Sequence, residues 1–324
     1  MTTLAIVSGL LLVAVWAGYP LAMRLLAALS RSDAPPAPET WPRVSVIIAS
    51  RDPADDLKAR IADVLGGDYP ADRIQVVAAL DAESPVEPDA QIIEDTRVRV
   101  VRAGSPPGKA SALNAGAVAA EGELLVFTDT HQRFAPDAIR QLVTVLAAGR
   151  FGVTSGQLEL PEAGRVSLVE RYWRMERRLR RDEARVHSAV GVSGSIYGMR
   201  RELWRPLPPG LILDDLYIPM RLVLAGERVG FTESARAFDV RRTAPAEEYR
   251  RKVRTLTGNF QLCAWLPGVL VPGRNPVWIQ FVFHKLLRLL TPYLLLGLVI
   301  GIAGSMVQHL GWTVLLIAAA VALG

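Results

Sequence analysis

Cysteine is nearly absent from this sequence, and charge is missing from both of its ends. Cys263 is the single cysteine among 324 residues, so an intramolecular disulfide is excluded and a reducing compartment is favoured. Residues Thr2 to Met23 carry no charged side chain, and Leu289 to Gly324 contain no Lys, Arg, Asp or Glu. With half of its residues hydrophobic, the chain is too apolar for an ordinary soluble protein of this length.

The two uncharged ends predict membrane-spanning helices. At about 1.5 Å per residue, the first stretch is long enough to cross about 30 Å of hydrocarbon. The alternative, a cleaved signal peptide, would begin with basic residues, and this sequence does not. Near the other end, Gln308 and His309 divide the apolar stretch into a full span and a shorter piece, so the last helix is expected to be incomplete.

Basic residues beside the apolar ends predict the orientation of the chain. Arg24 and Arg31 follow the first span, Lys285 and Arg288 precede the next, and the middle of the chain is rich in arginine. The positive-inside rule then predicts a multi-pass protein of the inner (plasma) membrane with its middle region in the cytoplasm. The predicted divisions are an N-terminal transmembrane helix (1–30), a Pro-rich linker (31–43), a cytoplasmic domain (44–258), an interfacial amphipathic segment (259–285) and C-terminal transmembrane helices (286–324).

Strand-like and helix-like segments alternate through the cytoplasmic domain. Helix-like patterns at 54–65 and 136–148 are interspersed with short runs rich in β-branched residues, at 44–50, 74–80, 97–101, 123–129 and 151–156. This alternation predicts an α/β fold with a parallel, doubly wound sheet. Ligands bind at the carboxyl ends of the strands in such sheets, and Asp81 and Asp129 both fall there.

The segment Asp129-Thr130-His131 follows an apolar run and contains one of only four histidines in the chain. In extended backbone, residues i and i+2 project to the same side, so this carboxylate and imidazole could meet at one cation. A mixed oxygen and nitrogen pair suits Mn²⁺ well and Mg²⁺ acceptably. An ordinary polar turn after a strand is the alternative, and the residues alone leave both interpretations open.

A glycine-containing stretch at 104–111, GSPPGKAS, is similar to a phosphate-binding P-loop but has the wrong spacing. Ala103 stands where the first glycine belongs, and Ala110 occupies the position that needs Ser or Thr for magnesium. An NTPase is therefore not predicted. Lys109, at the start of a predicted helix, keeps a looser role in pairing with a phosphate.

Residues 166–186 have a strongly basic amphipathic pattern that predicts a helix. Its spaced pairs, such as Glu170 with Arg174, are typical of a solvated face. The same charges would also suit anionic lipid or an acidic substrate. The sequence contains no recognisable nucleic-acid-binding module, so nucleic acid is not an expected partner.

Taken in order, the motifs resemble those of the membrane-bound family 2 glycosyltransferases, the group that contains cellulose, hyaluronan and poly-N-acetylglucosamine synthases and ceramide glucosyltransferases. The series runs from LDAES, GKASALNAG and FTDTH to VGVSGSIYGMRRELW, LILDDLYIPMRLVLAGERVGF and EEYRRKVRTLTGNFQL. The resemblance covers nearly the whole chain from Val44 onward. It implies a GT-A-type nucleotide-diphospho-sugar transferase fold with a doubly wound mixed sheet, flanked by transmembrane helices at both ends.

The resemblance also implies which residues bind a nucleotide-sugar donor, expected to be a UDP-sugar. Ser50 ends the strand that would line the base and ribose, and Asp81 matches the aspartate that contacts uracil. Asp129 and His131 match the DxD motif that holds a divalent cation, Mn²⁺ or Mg²⁺, on the diphosphate. Because histidine replaces the second aspartate, some preference for manganese is expected. The predicted donor-binding residues also include Lys109, Arg251 and Arg254.

Two basic residues, Arg251 and Arg254, stand where the synthases have Gln-x-x-Arg-Trp. They lie three positions apart, hence on one helical face, and could neutralise the leaving diphosphate. The tryptophan of that motif is missing here, which departs from the processive polymer synthases. A basic interfacial helix is the alternative interpretation of this stretch.

The pair Asp214-Asp215 matches the family's acidic motif, whose second member is the catalytic base. Asp215 is therefore predicted to be the base and Asp214 a supporting group, although aspartate also favours the start of a helix. The resemblance extends to Gly194 and Ser195, which are predicted to contact the acceptor. One base without a positioned nucleophile implies a single in-line displacement with inversion.

The resulting hypothesis is inverting, metal-dependent transfer of a sugar from a nucleotide-sugar to a growing polysaccharide at the cytoplasmic face of the membrane. The alternative is a glycolipid synthase with a lipid acceptor such as ceramide, diacylglycerol or polyprenyl phosphate. An accessory export subunit or a homo-oligomer is a possible partner. A non-enzymatic membrane scaffold or transporter component would need no charged residues at strand ends, so it is disfavoured.

Overall fold

The computed structural model describes residues 1–30, 35–86, 94–159, 168–239 and 245–310. Its contacts divide the chain into two compact units. One unit consists of Met1–Leu29 and the described residues from Ile279 onward, and the other consists of Ser30–Trp278. The first residues of the predicted linker, the start of the predicted basic helix at 166 and the final apolar piece from 311 lie outside the described residues.

Eight strands and eleven helices make up the described part of the chain. The strands are β1 (Val44–Ser50), β2 (Ile74–Leu80), β3 (Val98–Arg102), β4 (Leu124–Thr128), β5 (Gln132–Phe134), β6 (Val153–Glu159), β7 (Tyr197–Arg200) and β8 (Val229–Asp239). The helices are α1 (Thr2–Val13), α2 (Tyr19–Leu29), α3 (Ala54–Leu65), α4 (Lys109–Ala119), α5 (Ala138–Ala147), α6 (Leu168–Val186), α7 (Asp214–Leu224), α8 (Pro245–Trp265), α9 (Trp278–Phe281), α10 (Leu287–Leu289) and α11 (Thr291–Leu310).

All eight strands form one mixed sheet in the order β3-β2-β1-β4-β7-β6-β8-β5. The half from β3 to β4 is parallel, as the alternation of strands and helices predicts. The parallel arrangement that the alternation predicts ends at β4, because β7 runs antiparallel to both β4 and β6, and β5 runs antiparallel to β8. The mixed sheet implied by the family resemblance is the one observed.

The core forms where apolar faces of helices cover the sheet. The apolar stripe of α3, with Leu57, Ile61 and Val64, packs with the apolar side chains of α5 against β1 and β2. These stripes recur every three to four residues, which is why both segments form amphipathic helices. The parallel strands β1, β2 and β4 are almost fully buried, so their carboxyl ends meet at one edge where polar side chains can gather.

The first unit contains the two apolar helical stretches of the chain ends. Within the described residues, Thr2–Leu29 and Thr291–His309 are each long and apolar enough to cross a membrane. A hydrogen bond from Trp16 Nε1 to Thr291 Oγ1, 3.1 Å long, joins them. Length and composition are the observations that support a membrane span here.

Candidate active site

An ammonium group lies between two carboxylates at the carboxyl edge of the sheet. Lys109 Nζ is 2.9 Å from Asp129 Oδ1 and 3.4 Å from Asp214 Oδ1. Asp129 follows the last residue of β4, Lys109 is the first residue of α4, and Asp214 is the first residue of α7. Three sequence motifs that are far apart in the chain therefore meet at one point.

The loop before α4 is fastened to the end of β2. Gly108 has a φ of 141°, a conformation that favours glycine, and it donates its backbone N–H to Asp81 Oδ2 over 2.7 Å. The other oxygen of Asp81 accepts the N–H of Glu83 at 2.9 Å. Asp81 itself is buried, and its N–H bonds to the carbonyl of Ser50. In this structure Asp81 and the backbone of Ser50 fix the loop that carries Lys109.

Electrostatics keep the Lys109 ammonium charged. Burial pushes the pKa of Lys109 down, but the nearby carboxylates of Asp129, Asp214 and Asp215 outweigh it and raise the pKa well above its ordinary value. Three carboxylates against one ammonium leave this edge with an excess of negative charge. A diphosphate could bind here only together with additional positive charge.

The loop after α6 brings small residues against the second aspartate of the pair. A side chain on Gly194 would lie 3.6 Å from Asp215 Oδ2 and 3.7 Å from Lys109 Nζ. The backbone N–H of Val192 donates to the carbonyl of Asp215 at 2.9 Å, which joins this loop to α7. Ser195 is buried beside Gly194. The structure thus brings the predicted acceptor residues and the predicted base together.

Aromatic side chains outside the predicted site residues form the floor beside Asp214. Tyr197 is fully buried and donates its hydroxyl to Asp214 Oδ2 over 3.4 Å. Burial, and then the three aspartates, raise the pKa of Tyr197 well above its ordinary value, so it remains a donor. Its ring stacks on Phe127, 4.7 Å between centroids, and Phe127 stacks on Trp204. This rigid stack holds one side of Asp214.

A buried arginine, Arg60, lies beneath the end of β4. Its side chain is fully buried, ion-paired with Asp63, and donates from Nη2 to Thr128 Oγ1 over 2.8 Å. The Thr128 hydroxyl in turn donates to the carbonyl of Ser195 at 2.9 Å. Burial lowers the pKa of Arg60 to about 10, although Asp63 opposes the shift. The signal that reveals Arg60 in the sequence is a charged residue within the apolar stripe of α3.

His131 and Asp129 have different partners in the structure. His131 Nε2 is 2.9 Å from Asp52 Oδ1, whereas Asp129 contacts Lys109. Within the described part of the chain, no group of three or more His, Cys, Asp or Glu side chains is arranged to hold a metal ion. The residues present fit a cation that takes one or two protein ligands and most of its remaining ligands from a diphosphate, as Mg²⁺ does in phosphate-transfer sites. The assignment of Asp129 and His131 as metal ligands stays a prediction.

The C-terminal half of α8 docks on the loop that leads into Asp214. A side chain at Gly258 would come within 2.4 Å of Leu213, so only glycine allows this approach. Gln261 accepts the N–H of Ile212 and donates to the carbonyl of Gly210, both at 2.9 Å. Arg251 and Arg254 are exposed and lie seven and four positions before Gly258, hence on the same face of the helix.

Comparison with known proteins identifies the central domain. The sequence model of Glycosyl transferase family 2 matches residues 45–206, half of the chain. No curated protein matches the sequence at a significant level. The matched segment includes the predicted donor residues at the ends of β1, β2 and β4 and the start of α4.

Two solved structures are similar to this chain, and one of them superposes over nearly its whole length. A mannosyltransferase from Pyrobaculum calidifontis, solved in complex with GDP-Man and Mn²⁺, superposes with a TM-score of 0.76 at 22% identity, covering 99% of this chain and 92% of its own. Glucosyl-3-phosphoglycerate synthase from Mycobacterium tuberculosis, solved with Mn²⁺ and UDP-glucose, gives a TM-score of 0.49 at 18% identity, covering 75% of this chain and 83% of its own. The family match and the superposition on the mannosyltransferase identify the mixed sheet as that of a GT-A-like α/β fold.

Proposed function

The chain belongs to glycosyl transferase family 2. We propose that it transfers a sugar from a nucleoside diphosphate donor to a hydroxyl group of a membrane-associated acceptor. The transfer inverts the configuration at the anomeric carbon. The observation that carries the proposal is the ammonium of Lys109 between Asp129 and Asp214, with Asp215 beside it, at the carboxyl edge of the sheet. This arrangement meets the two requirements of the reaction: the ammonium of Lys109 gives a positive charge for the diphosphate, and the carboxylate of Asp215 can accept the proton of the acceptor hydroxyl.

The proposed chemistry is one displacement at the anomeric carbon. Asp215 takes the proton of the acceptor hydroxyl as that oxygen attacks, and the bond to the diphosphate breaks on the opposite side. Gly194 leaves open the space in front of Asp215, because any side chain there would contact the carboxylate. Tyr197 and the start of α7 hold Asp214, which keeps its neighbour Asp215 oriented.

The leaving diphosphate needs positive charge in the transition state. Lys109 supplies one charge from within the site, and Arg251 and Arg254, on the face of α8 that docks beside Leu213, are proposed to add two more. A divalent cation held by Asp129, with His131 as the second predicted ligand, would supply the Lewis acidity that neutralises the diphosphate oxygens. The mannosyltransferase solved with Mn²⁺ supports manganese as that cation.

Two nucleobases are candidates for the donor, uracil and guanine. The family resemblance favours a UDP-sugar through Asp81, whereas the mannosyltransferase that superposes over nearly the whole chain holds GDP-Man. Both carboxylate oxygens of Asp81 already accept backbone N–H groups. We therefore propose a role for Asp81 in positioning the Lys109 loop in addition to any contact with the base.

Of the two predicted acceptor classes, polysaccharide and lipid, the surface of α8 favours lipid. Opposite the docked face with Gly258, this helix exposes a stripe of four apolar side chains, Tyr249, Val253, Leu256 and Phe260. The stripe is flanked by Arg250 and Lys252, a pattern typical of helices that lie in a membrane interface. An enzyme that rests on the bilayer by α8 would meet acceptors whose apolar part is embedded there. The two spans of the described chain support the same choice.

Product analysis tests the proposal. Full-length protein in detergent would be given radiolabelled UDP- and GDP-sugars with a total membrane lipid extract, in Mn²⁺, in Mg²⁺ or in EDTA. We expect label in the organic phase with one donor, and its loss in EDTA. Label that stays in an aqueous, size-excluded fraction would support the polysaccharide acceptor instead. If the protein neither hydrolyses nor transfers the sugar of any donor, the proposed function is contradicted.

A further inference from the structure

A second cleft, far from the catalytic edge, is lined by arginines. It has a volume of about 470 Å³ and lies between α5, α6 and the first half of β8, with Phe151 in its wall. Strand β7 is antiparallel to both β4 and β6, so β4 and β6 run in the same direction. Met199 of β7 pairs with Leu125 of β4 on one side and with Val153 of β6 on the other, which places Val153 level with Leu125. Phe151 therefore lies at the opposite edge of the sheet from Asp129, roughly 20 Å away at about 3.3 Å per residue.

Two guanidinium groups flank the ring of Phe151. The carbon Cζ of Arg150 lies 5.3 Å from the ring centroid and that of Arg228 lies 5.6 Å from it. Arg150 also donates to the backbone carbonyl of Arg185 at 3.5 Å, and Arg185 is a third arginine in the lining of the cleft. Like charges held this close repel one another, so the cluster costs free energy unless an anion joins it.

The carboxylates near the cleft are committed to one arginine. Arg181 pairs with Asp182 at 3.2 Å and with Glu233 at 3.4 Å. Among the described residues, no carboxylate lies within ion-pair distance of Arg150, Arg185 or Arg228. The arginines that line the cleft are Arg150, Arg181 and Arg185. Arg228 is next to this lining, against the ring of Phe151, and burial, followed by Arg150, lowers its pKa. Its Nη2 is buried with no hydrogen-bond partner in the described structure, so the wall of the cleft carries positive charge that no carboxylate offsets.

The remaining lining residues suit a phosphate attached to a small organic group. Val145 and Phe231 add apolar surface. Uncharged side-chain donors come from α5 and β8; they are Gln141, Thr144, Thr232 and Ser234. A guanidinium presents paired N–H groups that match two phosphate oxygens, and clefts of this volume commonly bind small ligands. We propose that this cleft is a second binding site, separate from the catalytic edge, for a phosphate-bearing ligand.

Calorimetry on the full-length protein in detergent tests the site. Pyrophosphate would be titrated in EDTA, so that metal-dependent binding at the catalytic edge is suppressed. We expect binding to wild type and to Lys109→Met, and affinity weaker by roughly tenfold to a hundredfold in Arg150→Gln, the loss of one charged hydrogen-bonding partner. Arg171→Gln, an exposed arginine on the far end of α6, is the matched control and should bind as wild type does.

A second titration with dihexanoyl phosphatidic acid identifies the source of the phosphate. Binding of this lipid without binding of pyrophosphate, lost in Arg150→Gln, supports the site with a lipid headgroup as its ligand. Binding of pyrophosphate supports a soluble ligand. Absence of both, or binding that is lost in Lys109→Met and kept in Arg150→Gln, overturns the proposal. Sugar transfer by Arg150→Gln should stay at the wild-type rate, so failure here is distinguishable from failure of the proposed function.

Discussion

Replacing Lys109 by methionine removes the ammonium that joins Asp129 to Asp214. The substitution keeps most of the volume of the side chain and its helical propensity at the start of α4. What it changes is the charge of the site, from three carboxylates with one ammonium to three carboxylates alone. We expect the donor diphosphate to bind more weakly and the transition state to lose a positive charge.

Lys109 has two interactions that the substitution removes, its attraction to the carboxylates and its proposed bond to the diphosphate. At 2.9 and 3.4 Å, each carboxylate attracts the ammonium by about 1 kcal/mol even at the dielectric constant of water. The dielectric constant of water is appropriate here because 37% of the Lys109 side chain is exposed, so solvent screens these attractions. Those attractions are present in the free enzyme and do not count toward the transition state, whereas the charged hydrogen bond to the diphosphate contributes about 1.5 to 3 kcal/mol there. Its loss predicts that kcat/KM falls by roughly tenfold to a hundredfold.

Steady-state release of nucleoside diphosphate measures this loss. Lys58→Met, an exposed lysine on α3, is the matched control and should keep wild-type kinetics. Lys109→Arg keeps the charge and should recover part of kcat/KM. A Lys109→Met enzyme with kcat/KM within twofold of wild type would refute the assignment of this ammonium to the donor diphosphate.

Further changes test other parts of the account. His131→Asp restores a second carboxylate, so we expect the ratio of Mg²⁺- to Mn²⁺-supported activity to rise; an unchanged ratio would argue against His131 as a ligand. Arg60→Met leaves Asp63 and Thr128 without their partner and should cost about 3 to 5 kcal/mol in urea denaturation. The exposed Arg73→Met should cost less than about 1 kcal/mol, and equal losses in the two variants would contradict the role of Arg60. Burial, followed by the charge of Arg228, lowers the pKa of His187 below 6.5 in the folded protein. Neutral His187 therefore contributes its full stability above pH 6.5, and this contribution is lost as the pH falls through the lower folded pKa. His187→Gln should therefore flatten the acid side of the melting-temperature profile, and a profile identical to that of wild type would contradict this pKa shift.

The parallel half of the fold is readable from the sequence because its signals are local. The buried runs at 44–50 and 74–80 are strands with those bounds, and the amphipathic pattern at 54–65 is α3. Strand β8 has no such signal: Thr232, Glu233 and Ser234 interrupt it, and its pairing with β6 shifts register between Ser155 and Gln157. Short antiparallel strands such as β7 depend on tertiary pairing, which periodicity does not reveal.

The candidate site was predictable in position and less so in its contacts. Polar residues at the ends of β2 and β4 had to meet at one edge, which placed Asp81 near Lys109 and Asp129. The contact of His131 with Asp52 could not be predicted, because it joins two loops and depends on side-chain rotamers. Tyr197 was missed for a similar reason: nothing in its local sequence reports that it reaches Asp214.

The most direct test of the central claim is nucleoside diphosphate release by Asp215→Asn. This change keeps the shape of the side chain and removes the base, so we expect donor affinity near that of wild type and a kcat lower by roughly a hundredfold to ten-thousandfold. Asp72→Asn, an exposed aspartate paired only with Arg73 in the described structure, is the control and should keep full activity. Wild-type kcat in Asp215→Asn would contradict the account.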